Sequence, residues 1–279
     1  MQNRGVNSCE VFVVVVDEFT ELERQLRDLS FLPKRGVQVS VLLNAPLTAV
    51  PAELLMTFPD VRFLASDYFL PADENWQRSI DHVVSEWFKI ICVDDQVCQS
   101  GIERELDMIA TYKLENVSLI AGRRKVRFGG KAPTSRGLTR KRPVRVSGAK
   151  LRSLQRLLAW NCLGEPFVLW LNARRFRQTT GFLFPIPEHG VPFLVDFHAW
   201  QNLLAHGDVI LSRIEVGNFS VHPNSNSVRL GWGQLGQVRD YFRWLRQNDM
   251  VGAFGYFVAI SSASVQVAIR VTLYRLKLK

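Results

Sequence analysis

The run Phe88-Lys-Ile-Ile-Cys-Val93, followed at once by Asp94-Asp95, carries most of what this chain says about its fold. Consecutive apolar positions interrupted only by Lys89 describe a short strand covered on both faces, the habit of parallel sheets packed between helices. Working outward, Asn75–Trp87 sets Trp76, Ile80, Val83 and Trp87 at helical spacing before it, and Ile102, Leu106 and Ile109 do the same after it. Farther out, Val11–Val16, Val37–Leu43, Val61–Ala65 and Val117–Ala121 read as further strands. Thr20 with Glu23 reads as a capping box ahead of Leu22, Leu26 and Leu29. Beyond residue 150, regular structure resumes with Leu151–Trp160, a segment near Phe193–Ala205 reads as a helix, and Phe167–Leu171 and Val209–Ile214 as strands. This alternation predicts an α/β fold with a mostly parallel central sheet flanked by helices.

The 279 residues suit one large domain, or one domain with an appendage. The net charge of +9 is local: twelve Lys/Arg and no acid lie between Arg123 and Arg152, leaving 23 basic against 26 acidic residues elsewhere. That stretch, punctuated by glycine and proline, reads as a loop or a small two-stranded excursion. It fits a solvated insertion, a cationic lid over a diphosphate or a contact with anionic lipid. Only Phe128 interleaves with its cations, which argues against a nucleic-acid surface. Cys9, Cys92, Cys98 and Cys162 make neither a disulfide framework nor a zinc set, and the N-terminus lacks a signal-peptide pattern. A reduced, cytoplasmic setting is the expectation.

Parallel sheets bind ligands beyond the carboxyl ends of their strands. Asp17, Asn44 and Asp94-Asp95 stand just past three of the predicted strands. Adjacent carboxylates there are costly unless a cation compensates them, and a divalent ion holding a diphosphate would do so. A solvated turn is the plainer alternative. No Walker loop occurs, and no Gly-x-Gly-x-x-Gly follows the first strand, which argues against ATPase and dinucleotide redox chemistry. Trp76, Trp87, Trp160, Trp170 and Trp200 fall on apolar faces and read as core rather than as sugar platforms.

Four segments in order carry a family resemblance. Asn75-Trp-Gln-Arg78 leading to Val93-Asp94-Asp95 resembles the donor half of family 2 glycosyltransferases. Asn161-Cys-Leu-Gly164-Glu165-Pro166 is similar to their Gly-Glu-Pro turn. Asp196-Phe-His-Ala-Trp200, then Gly207-Asp208-Val209, resembles their acidic helix and the Gly-Asp-Val after it. Phe219-Ser-Val-His222, with Ser225 and Ser227, resembles their closing segment. The resemblance spans roughly residues 10–230 and implies a GT-A fold and an inverting, nucleotide-sugar-dependent transferase. It implies Asp95 and His222 as ligands of a divalent cation (Mn2+ or Mg2+), and Asp196 as general base. It places Asp17, Asn44, Arg78, Asp94, Gly164 and Glu165 on the nucleotide-sugar donor. The sequence departs from the pattern where Val93 replaces the first acid of an Asp-x-Asp motif, Asn44 an aspartate and Ser220 an arginine.

Met250–Ile269 is twenty residues without a formal charge between basic flanks, ~30 Å long as a helix. Three serines, a glutamine and two glycines weaken a transmembrane reading; an interfacial helix or a helix packed on the core fits as well. The expectation is therefore a glycosyltransferase domain over 1–235, including the basic loop 123–152, and a membrane-associating or packing segment over 236–279. The acceptor would be a glycan or lipid-linked saccharide, at the inner face of a membrane. The alternative is a non-catalytic GT-A-like protein that binds a glycan, lipid or protein.

Overall fold

The structure, a computed structural model, describes residues 8–128, 134–136, 142–186, 194–223 and 225–277. Its strands are β1 (Cys9–Val15), β2 (Gln38–Leu43), β3 (Arg62–Leu64), β4 (Trp87–Cys92), β5 (Gln96–Val97), β6 (Val117–Phe128), β7 (Thr134–Arg136), β8 (Val144–Val146), β9 (Leu169–Asn172) and β10 (Asp208–Val221). Its α-helices are α1 (Phe19–Asp28), α2 (Ala52–Thr57), α3 (Ala72–His82), α4 (Gln99–Thr111), α5 (Gly148–Leu158), α6 (Ala173–Phe176), α7 (Val195–Leu203), α8 (Asn226–Leu230), α9 (Gly233–Gln247) and α10 (Ala253–Lys277).

One sheet runs in the order β3-β2-β1-β4-β9-β6-β10-β5, with β7 on β6 and β8 on β10. The first four strands pair in parallel, and so do β6 and β10. Between these two groups β9 runs antiparallel to both β4 and β6. The expected α/β architecture is therefore present, but the sheet is partly antiparallel. An apolar run buried on both faces, such as Leu169-Trp-Leu171, has no periodicity from which its direction can be read. Because β9 is reversed between them, β4 and β6 point the same way, and the carboxyl ends of β1, β2, β4, β6 and β10 share one edge.

Several local readings need correction. α1 begins at Phe19, so Thr20 already lies in its first turn and cannot cap it. Glu18 stands at the cap instead, its carboxylate accepting the N–H groups of Val16 and Asp17. α3 occupies 72–82, and Trp87 opens β4 rather than closing a helix. Of the two forms expected for the basic stretch, its start takes the two-stranded one: β6 continues through Arg123–Phe128 alongside an equally extended β10, and β7 pairs back on it antiparallel. Positions 129–133 and 137–141 of that stretch lie outside the described residues.

All seven residues of β1 are buried, at the centre of a core that extends to Val238, Tyr241, Phe242 and Leu245 of α9 and Ala259 and Ala263 of α10. α10 packs against α9 and α5. Its Ser262 hydroxyl and Gln266 amide both donate to the Leu158 carbonyl at the end of α5. A separate small cluster, Val126, Phe128 and Val221, closes the far ends of β6 and β10 with Tyr274 of α10 against it.

Candidate active site

The carboxyl edge of the sheet carries two groups of polar side chains, and they differ in how their polar atoms are used. On the β1–β3 side, Asn44 is buried at the end of β2. Its amide donates to the Leu70 carbonyl at 2.9 Å and accepts the Leu70 N–H at 2.8 Å, pinning the following loop. Arg78 of α3 donates to the Leu43 carbonyl, to Asn75 Oδ1 and to the Leu64 and Ala65 carbonyls, at 2.6 to 3.0 Å. It thereby ties together the ends of β2 and β3. Asp17 is exposed in the turn after β1.

On the β4 side the chain turns sharply after Cys92. The Asp95 N–H donates to the Cys92 carbonyl at 3.0 Å, and its carboxylate accepts the Cys92 N–H at 3.1 Å. Asp95 is buried, whereas Asp94 projects outward with its Oδ2 3.6 Å from His222 Nε2. That encounter depends on β5, which pairs antiparallel with Gly217 and Asn218 of β10. A Cβ at Gly217 would sit 2.1 Å from the Gln96 carbonyl oxygen, so only glycine lets the two segments close. Val93, where an acid would complete an Asp-x-Asp motif, is instead buried in the core.

Three potential ligand groups gather at this turn: the Cys92 thiol and the Asp94 and Asp95 carboxylates lie within 4.8 Å of one another. Burial, then the neighbouring Asp94 and Glu165 charges, push the Asp95 carboxyl well above the usual carboxylate range. Burial and the same carboxylates push the Cys92 thiol up as well. A hard divalent cation held by oxygen ligands fits such a surplus of negative charge. A thiol held in its protonated form is a poor ligand by comparison.

Beyond this turn lies a cavity of about 570 Å³ between the β6 and β10 ends, the 159–165 segment, α7 and α10. Arg124 from β6 pairs with Glu165 in its wall, Nη2 donating to Oε1 at 3.0 Å. Gly164 takes φ +97°, and a Cβ there would run into the Arg124 guanidinium. Asn161 holds this turn, its Oδ1 accepting the Gly164 N–H at 3.0 Å. Trp200 Nε1 donates to the Gly164 carbonyl at 3.0 Å. Asn161 Nδ2 also donates to Asp196 Oδ2 at 2.8 Å, so the turn orients the carboxylate.

Asp196 lies within the first turn of α7, where Oδ1 also accepts the Phe197 N–H at 2.6 Å. Burial and the Glu165 charge raise its carboxyl to about 7; the Phe197 bond, Arg124 and Arg270 act the other way. An acid poised there changes protonation near neutrality and is suited to accept a proton from a hydroxyl.

Asp94, Asp95 and His222 thus come together at one turn, and Gly164, Glu165 and Asp196 along one wall of the cavity. Asp17, Asn44 and Arg78 stand apart at the ends of the first strands. Sequence reasoning missed Arg124, hidden among twelve cations, and Arg270 of α10, which also lines the cavity. It also misassigned Trp160. Trp87, Trp170 and Trp200 are fully buried, but Trp160 is 40% exposed in the cavity wall, just after the left-handed Ala159.

No family model matches this chain, and no curated protein sequence does. Solved structures match its fold. Residues 1–349 of S. aureus TarS in complex with UDP-GlcNAc give a TM-score of 0.64 at 10% identity, covering 98% of this chain and 76% of that one. A S. aureus TarS structure gives 0.59 at 10% identity, covering 96% of this chain. The chain spans 55% of that protein's length. Glucosyl-3-phosphoglycerate synthase from Mycobacterium tuberculosis, in complex with Mn2+, UDP and glucosyl-3-phosphoglycerate, gives 0.54 at 13% identity, covering 85% of this chain and 79% of that one. These neighbours are GT-A-fold glycosyltransferases, and this chain has their fold.

Proposed function

We propose that this chain is an inverting glycosyltransferase that moves a sugar from a nucleotide-diphosphate donor to a hydroxyl of a glycan or lipid-linked saccharide. The observation that carries the reading is Asp196: a carboxyl oriented by Asn161, raised to about 7, in the wall of a cavity near a cluster of acids suited to a cation. The acceptor hydroxyl attacks the anomeric carbon, forming the new C–O bond as the bond to the diphosphate oxygen breaks. Asp196 takes the hydroxyl proton, and the bonding electrons leave with the nucleoside diphosphate. A positioned base of this kind contributes ~10²–10⁴-fold.

Asp95, with His222 and Asp94 at the same turn, would hold a divalent cation (Mn2+ or Mg2+). When bound, such an ion neutralises diphosphate charge and stabilises the leaving group. Arg124 and Glu165 hold the wall between the turn and the base, and Gly164 leaves the room that the Arg124 guanidinium occupies there. Exposed Asp17 is the group beside the first strand that remains free to meet a nucleotide base. Asn44 and Arg78 support that region through the backbone they bind. Two of the neighbours hold UDP or UDP-GlcNAc, which makes uridine nucleotides the first to test.

On this reading residues 1–235 carry the donor and base groups, while 236–279, which completes the core and one cavity wall, associates the transferase with the inner face of a membrane. The decisive experiment is thermal stability with UDP and other nucleoside diphosphates, with and without Mn2+ or Mg2+, on the wild type and Asp95→Ala. Saturation at about a hundred times the dissociation constant adds ~2.7 kcal/mol of stability. A metal-dependent rise that the variant loses is the expected result. No rise with any nucleotide, in folded protein, would favour the non-catalytic GT-A-like binder.

A further inference from the structure

We infer that α10 lies flat on an anionic lipid surface, docking this chain through its outward face. Phe254, Phe257, Ser261, Val265, Ile269, Thr272 and Leu276 recur at three- and four-residue spacing, and all are exposed. Phe254 is 78% exposed and Leu276 67%. The opposite face, Ala259, Ala263, Val267 and Val271, is buried. This helix carries apolar side chains on both faces, and the protein covers only one of them. The adjoining α5 exposes Leu154 and Leu157 as well.

The charges identify the occupant of the open face. In sequence Arg243, Arg246, Arg275, Lys277 and Lys279 flank or end the helix, with Arg246 and Arg275 exposed, against two acids, Asp240, which pairs with Arg243, and Asp249. Pairing two copies of this face would bring like charges together, whereas anionic headgroups complement them. The buried face rules out a spanning helix. Crossing a bilayer would strip away the Ser262 and Gln266 bonds to Leu158 and the Arg270 bond to Gln234, and would expose the α9 and α5 contacts.

The inner face of the same helix lines the cavity through Gln266, Arg270 and Tyr274. Lipid and cavity are therefore separated by one helix diameter of ~10 Å. Resting on the transferase reading, this favours the lipid-linked acceptor over a free glycan. The docking itself stands without that reading.

The test is co-sedimentation of the full-length chain with phosphatidylcholine vesicles, with and without about 30% phosphatidylserine. The chain should bind the anionic vesicles, release as salt rises, and leave neutral vesicles largely unbound. Phe254→Ser/Phe257→Ser/Val265→Ser should weaken binding at least ~tenfold while the melting temperature stays unchanged. The salt series on the wild type needs no variant. Absence of binding by folded wild type overturns the inference, as does equal, salt-independent binding to both vesicle types. A dimer dissolved by the same substitutions assigns the face to a second copy and overturns it too. The nucleotide-dependent thermal shift, measured on the same sample, distinguishes this failure from failure of the transferase reading.

Discussion

The polar residues beside β2 and β3 and those beside β4 and α7 sit on the same sheet edge, yet they are in opposite electrostatic states. Asn44 and Arg78 spend their hydrogen bonds on backbone groups of their own scaffold. Asp94, Asp95, Glu165 and Asp196 crowd negative charge into a partly buried space where Arg124 is the nearest compensation for two of them. A satisfied polar network stabilises a loop, whereas an undercompensated one stores a demand that a cation, a proton or a substrate can meet. The family motif treats these residues alike, and it is their partners that set them apart.

The sharpest way to break this comparison is Asp196→Asn. Transfer should fall by ~10²–10⁴-fold, while the fold persists. Stability should move in the opposite direction. The folded carboxyl, at about 7, holds its proton above the range where an unfolded aspartate loses it, so ionisation costs stability as pH rises from ~4 through 7. The asparagine has no such cost, and its melting temperature relative to wild type should climb with pH across that window. The displacement from 3.8 to about 7 bounds the gain at ~4 kcal/mol. A pH-independent difference between the two proteins would mean that Asp196 is an ordinary ionised carboxylate.

Arg78→Ala tests the other side. Its loss leaves the part-buried carbonyls of Leu43, Leu64 and Ala65 without that donor, a cost of ~2–4 kcal/mol that a melting experiment reads directly. Unchanged stability with a lost nucleotide response would make Arg78 a ligand contact instead. Asn44→Ala should cost less, ~1–3 kcal/mol, because it releases one donor and one acceptor at Leu70.

How much of this was legible depends on the distance over which each relation acts. The buried strands β1, β2 and β4 and the polar groups past their ends, Asp17, Asn44 and Asp94-Asp95, follow from local runs of residues. The Asn161–Glu165 turn and Asp196 could be found because their motifs stand in order along the chain. The reversed direction of β9 could not, since nothing in Leu169–Asn172 depends on it. The Arg124–Glu165 pair joins residues 41 apart, and it exists because β6 carries on past the point where its apolar run ends. Trp160 was misread for a related reason: a left-handed residue at Ala159 breaks the helical face on which Trp160 would have been core.

The same pair offers a finer test, with opposite signs from adjacent residues. Glu165 raises the Asp196 carboxyl, and Arg124 lowers it. If Asp196 is the base, the rate of transfer rises with pH through its titration near 7. Glu165→Gln should then move that rising limb to lower pH, and Arg124→Ala should move it higher, each by up to ~1 pH unit. A merely structural role for the pair would reduce activity at every pH without displacing the limb. Shifts of the same sign would mean that the group controlling the rate is not Asp196. Asp95 feels the same two charges with the same signs, so opposite shifts place the controlling group beside this pair, and the loss of transfer in Asp196→Asn then decides which acid it is.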